Sequence, residues 1–167
     1  MALLIYTPIL TERIKYVLTH IFENILGVNL NYSDNIELFS NYLLAKIAYT
    51  DSTIDNVICF KKHPFINQQN IALQSLAFAD WNGTQMPFKI ENSVYNFDPF
   101  AAAFYLLSRY EEYVLLDRDE HLRFEGKSSL AYKNEFVKKP VIDELAFEIA
   151  KLIKAKYPDF KIKQREF

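Results

Sequence analysis

At 167 residues with a formal net charge of −2, the chain has the length of one domain and no block of like charge that would suit a nucleic acid or an anionic membrane. Half of its residues are hydrophobic and 16% are aromatic, mostly Tyr (11) and Phe (14), which supports a sizeable core and excludes a disordered chain. Three glycines, Gly27, Gly83 and Gly126, are too few for a glycine-rich phosphate loop, and the one cysteine, Cys59, has no partner for an internal disulfide.

The first apolar run, residues 3–6, stops at Thr7-Pro8 and predicts a buried strand entering a turn. It is too short, and too soon interrupted, for a signal peptide, and no apolar run reaches membrane-spanning length, so a cytoplasmic location is expected. Thr11 is an N-cap with Glu12 in the first turn. Ile14, Val17, Leu18, Ile21, Phe22 and Ile25 recur at helical spacing until Gly27 stops the helix, leaving Lys15 and His20 off the apolar stripe. Residues 28–32 alternate as a half-buried strand does. Ser33 and Asp34 offer caps for a short helix over 35–40, with Glu37 placed for a capping box. Strands are predicted over 45–49 and 56–60, and a polar loop containing Pro64 over 61–70. Asn82-Gly83 joins apolar runs 72–81 and 84–89 as a two-residue hairpin turn requires.

Asp98 and Pro99 then cap and open a helix predicted to run to Tyr113, followed by a polar stretch, 117–139, with little regular structure. Pro140 opens a last helix with Val141, Leu145, Ile149, Leu152 and Ile153 on one face and Lys151, Lys154 and Lys156 near its end, before Pro158. The order implies a single α/β domain over residues 1–167. It has an early β-α-β unit, right-handed if its strands are parallel neighbours, one β-hairpin, and helices packed on a mixed sheet.

Chemistry concentrates in residues 97–143. On one continuous helix Tyr105, Arg109, Glu112 and Tyr113 would share a face, with Arg109 able to pair with Glu112. That face reads either as a surface gripping a polar ligand or as an ion-paired helix end anchoring the next loop. Asp117, Asp119, Glu120 and His121 crowd that loop. The glycine and distal glutamate of a calcium loop are absent, and one histidine among acids lacks the partners of a transition-metal site, so no cofactor is expected. No serine sits in a nucleophile elbow, and Cys59, in the apolar run Val57-Ile58-Cys59-Phe60, reads as a small buried hydrophobe.

The run from Phe97-Asp98-Pro99 through Leu107-Ser108-Arg109-Tyr110-Glu111-Glu112-Tyr113 resembles a signature of the N-terminal domain of Bacteroidetes-type polysaccharide deacetylase family proteins. So do Arg118-Asp119-Glu120-His121-Leu122-Arg123-Phe124, Ser128-Ser129-Leu130-Ala131-Tyr132-Lys133-Asn134, and the opening Leu4-Ile5-Tyr6-Thr7-Pro8 with Arg13 and Tyr16. Where that family usually carries glycine after the histidine, this chain has Leu122. The resemblance implies a metal-dependent deacetylase barrel following this domain, near Arg165-Glu166-Phe167 where the chain stops. The barrel's Asp-Asp and His-x-x-x-His runs do not occur here, so no residue inherits a catalytic or metal-ligand role.

The leading expectation is therefore a non-catalytic accessory domain of a carbohydrate-deacetylating protein, acting through packing on the barrel, positioning of carbohydrate, or self-association. The candidate binding or interface residues are Tyr105, Arg109, Glu112, Tyr113, Asp119, His121, Arg123 and Tyr132. The alternative is a small ligand-binding protein or hydrolase with a pocket around Arg109, Glu112, Asp119 and His121. A scaffold without a ligand is the third reading.

Overall fold

The structure, a computed structural model, describes residues 2–116 and 118–163. Asp117 and the Arg165-Glu166-Phe167 end lie outside the described residues. Among the described residues four short strands, β1 (Ala2–Tyr6), β2 (Asn29–Ser33), β3 (Lys46–Tyr49) and β4 (Ile58–Phe60), form an all-parallel sheet in the order β2-β1-β3-β4. The hairpin, β5 (Phe78–Trp81) and β6 (Thr84–Pro87), is a separate antiparallel sheet and does not extend the parallel one. The α/β class, the early β-α-β unit with parallel neighbours, and the hairpin are all present.

Strand parity divides the sheet. Leu3, Ile5, Leu30, Tyr32, Ile47, Tyr49 and Phe60 face the main core, whereas Leu4, Tyr6, Ala48 and Cys59 face a smaller cluster around Phe39. Helix α1 (Glu12–Leu18) continues as a π-helical segment, Thr19–Ile25, closed by Leu26 N–H donating to the Ile21 carbonyl. Thr11 caps it, its Oγ1 accepting from Ile14 N–H at 3.2 Å. Gly27 follows with φ +65°, and a Cβ there would lie 2.7 Å from Lys163 Cβ, so both backbone and space require glycine. Asn82 and Gly83 both take positive φ, as the predicted hairpin turn demands.

Several boundaries differ from expectation, each for a local reason. Helix α2 (Ile36–Asn41) is capped by Asn35, whose Oδ1 accepts from Glu37 and Leu38 N–H, and not by Ser33 or Asp34. The strand expected from residue 56 begins at Ile58 because Asn56 takes φ +58°. The stretch 61–70 is not wholly polar loop: His63 Nδ1 caps a 3-10 turn, Pro64–Asn67, that drives Phe65 and Ile66 into the core. Residues 72–77 pair with no strand. The stretch after 117 carries little regular structure, as expected, and what it has is a 3-10 turn, Gly126–Ser128, and the short helix α5 (Leu130–Lys133).

The largest correction concerns the helix expected from Asp98 to Tyr113. Helix α3 (Pro99–Leu107) ends early, Arg109 takes φ +51°, and α4 (Glu111–Val114) starts afresh. Tyr110 N–H donates to the Tyr105 carbonyl across the break. The gain lies in the core: Tyr110, only 3% exposed, meets Phe65 edge-on at 5.0 Å and Tyr105 at 5.3 Å, and its hydroxyl bonds both Ala72 N–H and Ala72 carbonyl. A straight helix would give up that burial. Tyr105, Arg109, Glu112 and Tyr113 therefore do not share the face of one helix. The last helix, α6 (Val141–Lys156), buries Val141, Leu145, Ile149 and Ile153 as predicted, with Leu152 only partly covered.

Candidate functional site

The break after α3 and the loop 118–124 enclose an open cleft of about 620 Å³, lined by Arg109, Glu112, Arg118, Asp119, Leu122, Arg123 and Phe124. A second hollow of about 290 Å³ shares Arg109, Glu112 and Phe124 with it and extends along Tyr105, Glu111, Ser129 and Ala131. Four of the predicted residues, Arg109, Glu112, Asp119 and Arg123, thus come together, and Tyr105 borders the adjoining hollow. Tyr113 and Tyr132 stand exposed outside both linings, and so does His121, whose Nε2 lies 3.4 Å from Glu120 Oε1.

The charged lining groups are each held by a bond within the chain. Arg109 pairs with Glu112, the ion pair expected from their spacing. Arg118 donates to the Leu115 carbonyl at 2.8 Å and the Glu112 carbonyl at 2.9 Å, placing a cation on the C-terminal carbonyls of α4, and its guanidinium lies 6.0 Å from the Phe124 ring centroid. Asp119 builds the loop. Its Oδ1 accepts from His121 N–H (2.8 Å) and Arg123 N–H (2.9 Å), while Oδ2 takes the Arg123 guanidinium at 2.8–2.9 Å. The backbone N–H and then the guanidinium of Arg123 hold its carboxyl below the usual carboxylate range. At the tip Leu122 takes φ +62°, the left-handed region that favours glycine.

Glu111 serves structure as well. Both of its carboxylate oxygens accept from Leu130 N–H, at 2.8 and 3.0 Å, so α4 caps the first turn of α5. Burial raises its pKa, opposed by that backbone bond and by Lys133. The cleft thus presents guanidinium donors beside carboxylate acceptors on a pre-formed wall, an arrangement that can meet a ligand rich in hydroxyl and carbonyl groups.

A second polar cluster escaped the sequence reading. It lies where β3 ends and β4 gives way to the 61–63 turn, at the edge of the core. Asp98, expected only as an N-cap, is fully buried and accepts four hydrogen bonds: from Tyr49 hydroxyl and His63 N–H at 2.7 Å each, and from Phe100 and Ala101 N–H at 3.0 Å each. Burial pushes its carboxyl up to about 6 despite those donors, and burial raises the Tyr49 phenol well above its ordinary value. Lys62, also buried, donates to the Ile9 carbonyl at 3.0 Å above the Tyr49 ring, and burial lowers its pKa. Capping signals announce Asp98 as a helix start, but only the tertiary fold brings Tyr49 and His63 to it. Likewise Arg118 and Phe124 join the cleft through the bridge pairing Arg118 with Phe124, a contact no periodicity reveals.

Among the described residues no group of three His, Cys, Asp or Glu side chains is placed to hold a metal ion, and no helix is long and apolar enough to cross a membrane. No curated protein and no solved structure matches the chain. A family of unknown function, DUF7033, matches residues 3–158, and the chain belongs to that family.

Proposed function

We propose that this DUF7033 domain is a non-catalytic accessory domain of a polysaccharide deacetylase-like protein, holding a stretch of carbohydrate in the cleft between α4 and the 118–124 loop. The observation that carries the reading is the cleft wall itself, where Arg109, Arg118 and Arg123 stand beside Glu112 and Asp119 with every group already oriented by a bond within the chain. Sugar hydroxyls both donate and accept, so alternating guanidinium and carboxylate groups suit them better than a site of one sign, and pre-orientation lowers the entropy cost of binding. The resemblance of residues 97–134 to the N-terminal domain of deacetylase-type proteins supports the same reading.

Calorimetric titration with an N-acetylated glucosamine oligomer tests it. Binding is expected, weakened by about tenfold or more when Arg109→Ala and Arg123→Ala remove charge-assisted hydrogen bonds. No acetate is expected to be released. Acetate release by this chain, lost on Glu112→Gln or His121→Ala, would contradict the accessory reading and favour a hydrolase built on the same polar residues.

A further inference from the structure

On another part of the surface the exposed side of α6 and the segment that follows it form a groove of about 580 Å³. Its floor is apolar, with Phe160 buried, Ile162 partly buried, and Phe147 45% exposed although it is a large aromatic on a helix. Among the described residues its charged lining groups are all cationic, Lys151, Lys154 and Lys161, with no carboxylate among them. Lys151 is held by Glu148 one turn back, whereas none of the ion pairs among the described residues takes Lys154 or Lys161. One wall is a helix and the other an irregular segment that Lys163 N–H ties to the Leu26 carbonyl at 3.0 Å. The groove is therefore fixed at both sides.

We propose that this groove is a docking site for an acidic amphipathic segment of a protein partner, with an apolar anchor seated between Phe147 and Ile162 and carboxylates facing the three lysines. The charge argues for the occupant. An apolar trough rimmed by ammonium groups rejects basic partners and leaves Lys154 and Lys161 to be neutralised by carboxylates, while the aromatic floor supplies burial. The inference uses residues outside the polar cleft and stands whether or not the cleft holds carbohydrate.

A fluorescein-labelled helical peptide with leucines on one face and glutamates flanking them is the probe, titrated with the full chain by fluorescence anisotropy. It is expected to bind with an affinity that falls as salt rises, and to weaken by about tenfold or more on Phe147→Asp or on Lys154→Glu with Lys161→Glu. These positions are exposed, so circular dichroism should show the variants folded. Equal binding of a matched peptide with lysine for glutamate, or binding indifferent to both sets of substitutions, overturns the proposal. So does saturation of the groove by monomeric laurate without peptide binding, which assigns it to an anionic lipid. A dimer in sedimentation that Phe147→Asp abolishes assigns it instead to a second molecule of this chain and equally overturns the proposal.

Discussion

Asp98 shows how one side chain can join three segments. It caps α3 through Oδ1 and, through Oδ2, fastens both the end of β3 at Tyr49 and the turn at His63. Its folded pKa, pushed up to about 6, lies above the ordinary carboxylate value of 3.8, so the sign of the linkage is the reverse of a surface ion pair. The contribution of this group is full below about pH 4 and is lost as pH rises through about 6. The difference of roughly two pKa values corresponds to about 3 kcal/mol. Urea unfolding should therefore show Asp98→Asn losing most, relative to the native chain, near pH 4, with the gap narrowing by about 3 kcal/mol by pH 7. Parallel curves would contradict that burial dominates this carboxyl. The capping role was legible from Asp98-Pro99; the long-range partners were not, because Tyr49 and His63 are 49 and 35 residues away. Leu122 is the converse case, a bulky residue in a left-handed turn that its sequence neighbours do not announce.

At the scale of elements, the early β-α-β unit, the hairpin and α6 followed from periodicity and punctuation, since Thr11, Gly27 and Asn82-Gly83 act locally. The break between α3 and α4 did not. Arg109 is no helix breaker, and leaving the helix there buries Tyr110 edge-on against Phe65. The same break aims Glu111 at α5. Because that carboxylate supplies the acceptor for Leu130 N–H, Glu111→Ala should destabilise by about 1 kcal/mol, in the range of a lost cap. Hydrogen exchange is expected to speed up in α5 while α6 stays protected, and unchanged protection across residues 130–133 would remove Glu111 from that role.

For the molecule as a whole, the polar residues of the 97–124 stretch are chiefly architectural. Asp98 latches, Tyr110 pins the 72 segment, Glu111 caps α5, and Asp119 shapes its loop. Arg13 likewise donates to the carbonyls of Phe65 and Asn70 and lies over three aromatic rings. What this framework holds in place is a polar cleft whose lining was only partly legible: Arg109 and Glu112 through a spacing of three that pairs them although no helix runs through both, Asp119 through its crowded loop, Arg118, Arg123 and Phe124 through neither. The measurement that tests the central claim most directly is amide chemical-shift mapping of the full chain with an N-acetylated glucosamine oligomer. The account predicts shifts gathered on residues 105–131, centred on Arg109, Arg118 and Arg123, with the α6 groove unmoved. Shifts centred elsewhere, or none at millimolar sugar, would contradict it.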